Sequence, residues 1–288
     1  MSNLIEVSNL CRQYPGFALR NVSFAVPGGT IMGFVGENGA GKTTTLKAIL
    51  GLIRPDSGDC RILGQTMAEG DKALRRKVGV VFDETCFHEN LTTGYIDGML
   101  RRIYGADWDS AAFAALCQKF ALPDKKEIKA YSRGMKMKLS IAAALAHHPQ
   151  VLLLDEATSG LDPVVRDEIL DAFYEFVCDD EHAVLLSSHL TTDLERVADY
   201  ITYLHGGEIV FTENKDELLE HSGIARLTSA QFAALTGEQY LRRRQTPQGG
   251  TELLLNDRAA FARRHPEFVV DPAAIDDIML FYAKGEAQ

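Results

Sequence analysis

Long apolar runs are missing from this chain. None approaches the roughly 18 residues needed to cross a bilayer, so any work at a membrane requires spans from another chain. The N-terminal stretch Met1-Ser2-Asn3-Leu4-Ile5-Glu6-Val7 has no basic segment leading into an apolar one, and no signal peptide is expected. Cysteine is scarce. The five (Cys11, Cys60, Cys86, Cys117 and Cys178) are odd in number and have no C-x-x-C spacing. This excludes a disulfide framework and a zinc ribbon and points to free thiols in a reducing compartment. Positive charge is in deficit: 30 Lys and Arg against 40 Asp and Glu give a net charge of −10, a poor balance for wrapping nucleic acid. What remains is 288 residues, 46% hydrophobic and 24% charged, enough for one large globular domain with or without an appendage.

The most informative stretch is Gly36-Glu37-Asn38-Gly39-Ala40-Gly41-Lys42-Thr43-Thr44, which fits G-x-x-x-x-G-K-[ST] without gap or substitution. The apolar run Thr30-Ile31-Met32-Gly33-Phe34-Val35 reads as a buried strand before it. Leu46, Ile49, Leu50 and Ile53 lie on one side of a helix after it. Glycines let the backbone curl so that its N–H groups converge on phosphate oxygens, and the helix N-terminus adds partial positive charge. Lys42 supplies a full charge for the outer phosphates, and the Thr43 hydroxyl is placed to ligate Mg²⁺.

Around this loop the pattern is mixed. Leu4 to Val7 and Leu19 to Val26 alternate like antiparallel strands with one solvated face. Between them, Tyr14 is a candidate to stack on an adenine ring. Val78-Gly79-Val80-Val81-Phe82 reads as a buried strand ending at Asp83. From residue 92 to 148 the pattern turns helical, with Ala-rich segments at 109–120 and 136–147. Val151-Leu152-Leu153-Leu154 and Ala183-Val184-Leu185-Leu186 are apolar enough to be parallel strands buried on both faces. A hairpin is expected around Gly206-Gly207. Past His221 the character changes: strands are expected at 225–228, 240–244 and 251–256, a turn at Thr246-Pro247-Gln248-Gly249-Gly250, and helices at 258–264 and 273–283. Arg242-Arg243-Arg244 reads as a solvated strand edge. His147-His148 reads as charge complementing a helix end.

Two more stretches carry chemistry. Asp155 ends an apolar strand, where a carboxylate can hold Mg²⁺, and Glu156 follows, where it can orient and partly deprotonate water. Ser159-Gly160-Leu161-Asp162 comes next. Upstream, Tyr131-Ser132-Arg133-Gly134-Met135 opens a helix, so the Ser132 hydroxyl and Gly134 amide can form an anion cradle.

In this order the stretches resemble the ATP-binding subunit of an ATP-binding cassette (ABC) transporter, over about residues 5–212. In that family's terms residues 36–43 are the Walker A loop and 151–155 the Walker B strand. Residues 131–135 stand where the LSGGQ signature stands, and 159–162 are the D-loop. Tyr14 is the adenine-stacking aromatic and His189 the switch histidine. The resemblance implies an α/β fold: a P-loop NTPase core with an antiparallel β subdomain and an inserted helical subdomain at about 84–149. The ATPase domain is expected over 1–221, with a small α+β accessory region over 222–288. It implies a homodimer or heterodimer closing head to tail on two ATP and Mg²⁺. Each nucleotide then lies between one protomer's Walker A loop and the other's Ser132 and Gly134, with Glu156 as base and Lys42 and His189 at the γ-phosphate. It further implies a separate transmembrane permease, a cytoplasmic place on the inner face of the membrane, and no nucleic-acid partner.

The Tyr-Ser-x-Gly-Met form, and the tail stretch Ile275-Asp276-Asp277-Ile278-Met279-Leu280-Phe281-Tyr282, are similar to bacterial exporters of antibiotics, peptides and drugs. The alternative is a soluble ABC ATPase acting on nucleic acid or ribosomes. Such proteins resemble two cassettes in one chain or carry long coiled coils, and neither is here. Two positions depart from the family pattern: Arg133 replaces the signature's first glycine, and Asp83 stands where glutamine is usual. Asp83 is expected to meet the metal through a water; the rival reading is a cap on the following helical stretch.

Overall fold

The computed structural model describes residues 2–67, 72–235, 237, 239–247 and 249–287. Met1 of the N-terminal stretch and Gln248 of the expected turn lie outside these. The chain divides into two compact units, Met1–Thr212 and Glu213–Gln288, a division nine residues before the 221/222 boundary read from the sequence.

In the first unit an antiparallel sheet is built from β1 (Asn3–Tyr14), β2 (Phe17–Pro27), and, after β3 (Thr30–Val35) and α1 (Lys42–Ile49), β4 (Ser57–Ile62) and β5 (Gln65–Thr66), in the order β2-β1-β4-β5. The sequence showed only a short alternation at the start of β1. The strand continues because its register shifts between Val7 and Leu10, where Asn9 takes a φ of +50°. Asparagine tolerates that conformation, and the bulge it makes breaks the two-residue period without ending the pairing.

The second sheet has the order β10-β9-β3-β8-β7-β6. It is assembled from β6 (Val78–Val81), β7 (Val151–Asp155), β8 (Ala183–Ser188), β9 (Tyr200–His205) and β10 (Glu208–Asn214), with β3 running parallel between β8 and β9. Every residue of β3, β7 and β8 is buried, which is why these strands read as unbroken apolar runs. The β9–β10 turn uses Gly206 and Gly207 at φ of +57° and +84°. A Cβ on Gly207 would lie 1.9 Å from the Ala18 carbonyl oxygen, so only glycine lets this turn pass β2. Phe24 of β2 stacks on Phe34 of β3 with ring centroids 5.2 Å apart, joining the sheets through one core with Leu46 and Ile49 of α1.

After α2 (Lys72–Arg76) and β6, the chain makes the helical insert α3 (Thr93–Tyr104), α4 (Ser110–Lys119) and α5 (Arg133–Leu145) before entering β7. Asp109 starts α4 by accepting from the Ala111 and Ala112 N–H groups, and Ser132 starts α5 by accepting from Met135. Helix α6 (Pro163–Phe176) has Asp162 as N-cap and proline in its first turn; α7 (Thr191–Val197) follows β8.

His147 corrects the charge-complementing reading. It is buried, stacked on Tyr104 at 4.5 Å, with Nε2 3.3 Å from the Val78 carbonyl oxygen. Burial pushes its pKa below the ordinary 6.5, so it packs as a neutral ring. His148 is the exposed one, 3.1 Å from Asp109.

The second unit holds α8 (Lys215–His221), β11 (Gly223–Leu227), α9 (Ser229–Ala234), β12 (Arg242–Gln245), β13 (Thr251–Leu255), α10 (Arg258–Arg264), β14 (Val269–Pro272), α11 (Ile275–Lys284) and β15 (Glu286–Ala287). Its antiparallel sheet runs β14-β11-β13-β12-β15 around a core of Ala225, Leu227, Leu253, Leu255 and Phe261. The arginine run is not a solvated edge. Strand β12 is paired on both sides, and the Arg242, Arg243 and Arg244 guanidinium groups lie over the rings of Tyr282, Phe232 and Phe281 at 4.7, 5.6 and 4.6 Å. Arg243 also pairs with Glu286 and Arg244 with Glu252, each at 2.6 Å.

Candidate functional site

Three strand ends deliver the site: β3 gives way to residues 36–41, β7 ends on Asp155, and β8 ends just before His189. The loop after β3 is shaped by glycine. A Cβ on Gly36 would sit 2.4 Å from the Leu204 carbonyl oxygen, and Gly41 takes a φ of +115° with Phe17 and Leu19 packed beneath it. Gly41 offers no side-chain cap to α1, so the first N–H groups of that helix are left for a ligand. Glu37, Asn38, Gly39 and Thr43 are exposed, whereas Gly36, Ala40, Gly41 and Lys42 are buried and Thr44 is half-buried.

Lys42 is 6% exposed. Its Nζ donates to the Gly36 carbonyl oxygen at 2.7 Å and stands 3.4 Å from Glu156 Oε1. The ammonium group therefore occupies the hollow of its own loop. Thr43 Oγ1 donates to Asp155 Oδ2 at 2.7 Å. Asp155 is buried, and its second oxygen, Oδ1, has no hydrogen-bond partner. Burying a carboxylate costs several kcal/mol, of which the Thr43 hydrogen bond offsets a part. The four apolar residues of β7, at about 1.5–3 kcal/mol each, can carry that burden.

Glu156 leaves the strand in the left-handed region, with φ of +55°, held by its N–H donating to the Ser187 carbonyl oxygen at 2.9 Å. Its Oε2 lies 2.6 Å from His189 Nδ1. The sequence thus brings Lys42, Thr43, Asp155, Glu156 and His189 into one cluster from three places in the chain. Glu37 is drawn in from the side by His205 Nδ1 at 2.8 Å.

Tyr14 sits half-buried at the end of the β1–β2 hairpin, with the Arg12 guanidinium 5.1 Å from its ring. Hydrogen bonding to Tyr14, then to Asp56, raises the Arg12 pKa. The aromatic that packs under the loop is Phe17, whose Cζ would be 2.8 Å from a Cβ on Gly41. The exposed Ser132 hydroxyl caps α5 by accepting from the Met135 N–H, which leaves its own hydrogen to donate, and Gly134 is packed against Val165 of α6. Asp83 caps no helix among the described residues: its Oδ1 is 2.5 Å from Arg133 Nη2, and the next helix, α3, begins ten residues on with Thr92 at its cap.

Sequence reading passed over Ser187 and Arg166. Ser187 anchors Glu156 through its backbone carbonyl oxygen, a role that its residue type does not announce, since its buried Oγ has no hydrogen-bond partner. Arg166 Nη2 donates to the Leu161 carbonyl oxygen at 3.3 Å while Nη1 lies 3.5 Å from the buried Asp193. It ties the turn after Glu156 to the helix after His189.

These residues fit a nucleoside triphosphate with Mg²⁺. A Cβ would clash at Gly36 and Gly41, a buried ammonium lines the hollow, and an orphaned carboxylate oxygen beside a hydroxyl is a hard-oxygen donor pair. Among the described residues no group of three or more His, Cys, Asp or Glu could hold a metal by itself.

The ABC transporter family model matches residues 19–159. The bacitracin transport ATP-binding protein BcrA of Enterococcus faecalis is 36% identical over 221 residues, 76% of this chain and 71% of the relative. The daunorubicin/doxorubicin resistance ATP-binding protein DrrA of Streptomyces peucetius is 34% identical over 224 residues, 76% of this chain and 68% of the relative. Among solved structures, an ATP-binding subunit of an ABC transporter is 29% identical with a TM-score of 0.66, over 75% of this chain and 91% of that one. A dimeric post-hydrolysis ATP-binding cassette bound to ADP and Pi has the same fold at 22% identity and a TM-score of 0.65, over 73% of this chain and 98% of that one. A glycine hollow filled by its own lysine, in a chain so closely matched, belongs to an ATP-binding, ATP-hydrolysing member of the ABC transporter family.

Proposed function

We propose that the chain is the motor subunit of an exporter of antibiotic, peptide or drug. It works as a dimer that closes around two ATP with Mg²⁺ and drives a separate membrane permease. The observation that carries this reading is the convergence of Lys42, Thr43, Asp155, Glu156 and His189 at three neighbouring strand ends. The bacitracin and daunorubicin/doxorubicin associations of its relatives support the class of cargo.

In this reading the N–H groups of residues 36–44 and Lys42 bind the phosphates, with Lys42 Nζ leaving the Gly36 carbonyl to do so. Bound Mg²⁺ supplies charge neutralisation to the phosphate oxygens, and Thr43 and Asp155 hold it. Glu156 accepts the proton of the attacking water. His189, tied to Glu156, orients that carboxylate and faces the terminal phosphate. Tyr14 flanks the base of the nucleotide. Ser132 and Gly134 serve the nucleotide of the opposite protomer. Among the described residues no helix is long and apolar enough to cross a membrane, which fits a subunit held at the inner face of the membrane by its partner.

Affinity purification of the full chain from detergent-solubilised membranes, followed by mass spectrometry, tests the assignment. A stoichiometric polytopic membrane protein is expected to co-purify. Recovery of ribosomes or DNA in its place would turn the assignment toward a soluble ATPase.

A further inference from the structure

The two departures from the family pattern are partners of each other. Arg133 Nη2 is 2.5 Å from Asp83 Oδ1, across 50 positions of sequence. The same guanidinium fills the space beside Gly160, where an added Cβ would come within 2.8 Å of Nη1. One side chain thus touches the loop after β6, opens helix α5 and presses on the turn that follows Glu156. The contact belongs to a seam: one turn along α5, Lys136 pairs with Glu89 at 3.0 Å, and Ser140 meets Thr85 at 3.3 Å. Asp83, Thr85, Glu89, Arg133 and Lys136 line a cleft of about 480 Å³.

Both members of the Asp83–Arg133 pair are about half exposed, so the pair is weak enough to exchange. Asp83 is also the only one of the sequence's three candidate metal-facing groups that is not with the others: Thr43 and Asp155 already touch.

We propose that Arg133 is a positioning residue that acts through Asp83, holding the carboxylate against α5 in the nucleotide-free protein and setting how readily Asp83 turns toward a bound Mg²⁺–nucleotide. This rests on the reading of the cluster as a Mg²⁺–nucleotide site. The pairing accounts for both departures at once: a glycine at position 133 would leave the Asp83 charge uncompensated, and a glutamine at position 83 would leave the arginine without a counter-ion. It also accounts for Gly160, whose missing side chain makes room for the guanidinium.

The test is a Mg²⁺ titration of binding of a fluorescent ADP analogue to the full chain, with Arg133→Met made in the native and the Asp83→Asn backgrounds. Methionine keeps the stem at an exposed first helical position, and thermal melting without nucleotide checks that each variant is folded. With Asp83 present, releasing it from Arg133 is expected to lower the half-saturating Mg²⁺ concentration by ~2- to 5-fold, the scale of an exposed ion pair. In the Asp83→Asn background Arg133→Met is expected to change nothing. An equal shift in both backgrounds overturns the proposal, because Arg133 then acts on the phosphates directly. No shift, or a rise, with Asp83 present overturns it too. Failure of unlabelled ADP to displace the analogue from the native chain would instead remove the nucleotide reading itself.

Discussion

His189 Nδ1 lies 2.6 Å from Glu156 Oε2, and the His189 backbone N–H approaches the same oxygen at 3.4 Å. The other carboxylate oxygen faces Lys42 at 3.4 Å. Glu156 reaches both partners because its backbone takes the left-handed conformation, which costs a residue with a Cβ about 1–2 kcal/mol. The hydrogen bond from its N–H to Ser187 and the pull of the imidazole hold it there. The carboxylate is thus aimed by the protein's own contacts.

Replacing Glu156 by Gln keeps this shape and removes the basic oxygen. ATP affinity is expected to stay near that of the native chain while phosphate release falls by roughly 10²–10⁴-fold, the usual contribution of a general base. An ATP-stabilised dimer should accumulate, visible by light scattering. Phosphate release within tenfold of the native rate takes Glu156 out of the base role.

Glycines in the first unit should respond to alanine in opposite directions. A Cβ on Gly79 of β6 would meet Leu152 Cδ2 at 2.5 Å and the Ala144 carbonyl oxygen at 2.8 Å, so Gly79→Ala should cost about 1–3 kcal/mol through overpacking. Gly98 of α3 has nothing within 4 Å, and Gly98→Ala should gain about 0.5–1 kcal/mol. Urea midpoints read both; equal shifts of the same sign would contradict the packing described.

Stability should fall as solutions are acidified through the His147 range. Burial lowers the folded-state pKa of His147 below the ordinary 6.5. Above pH 6.5 the ring is neutral folded or unfolded and contributes no pH dependence. Below it the unfolded chain takes up a proton that the folded chain refuses, so unfolding is favoured. Urea midpoints of the native chain and His147→Phe between pH 8 and 5 should diverge in slope below about 6.5, the variant being flatter. Parallel curves would mean that the ring titrates freely.

Removal of residues 222–288 should leave nucleotide affinity within about fivefold, on the order of 1 kcal/mol. The second unit has its own core, and every residue assigned to the nucleotide lies before the Thr212 boundary. Calorimetric titration with ADP on the folded truncation is the check; complete loss of binding would place part of the site beyond His221.

The parts legible in the sequence were those fixed locally. Residues 36–44 announce their turn, their charge and their hydroxyl at set spacing, and β7 and β8 announce burial on both faces by lacking polar residues until their ends. What escaped depends on partners distant in sequence. Asparagine at position 9 gave no sign that the strand would bulge and run on. Arg242, Arg243 and Arg244 looked solvated because Tyr282, Phe281 and Phe232 are remote in sequence. His147 and His148 were read as a pair, yet a positive φ at His148 sends them into opposite environments. Asp83 and Arg133 each looked anomalous alone, and only their contact makes sense of both.

The place of β3 between β8 and β9 has a consequence for how the protein is made. The strand that feeds the phosphate loop is synthesised well before its hydrogen-bonding neighbours, which begin at Ala183 and Tyr200. At synthesis rates of about 5–20 residues per second, this edge-exposed apolar segment waits on the order of ten seconds for its partners. During that interval β1 and β2, already complete, are the surface available to cover it, and the Phe24–Phe34 contact is the first long-lived protection the nascent loop can acquire.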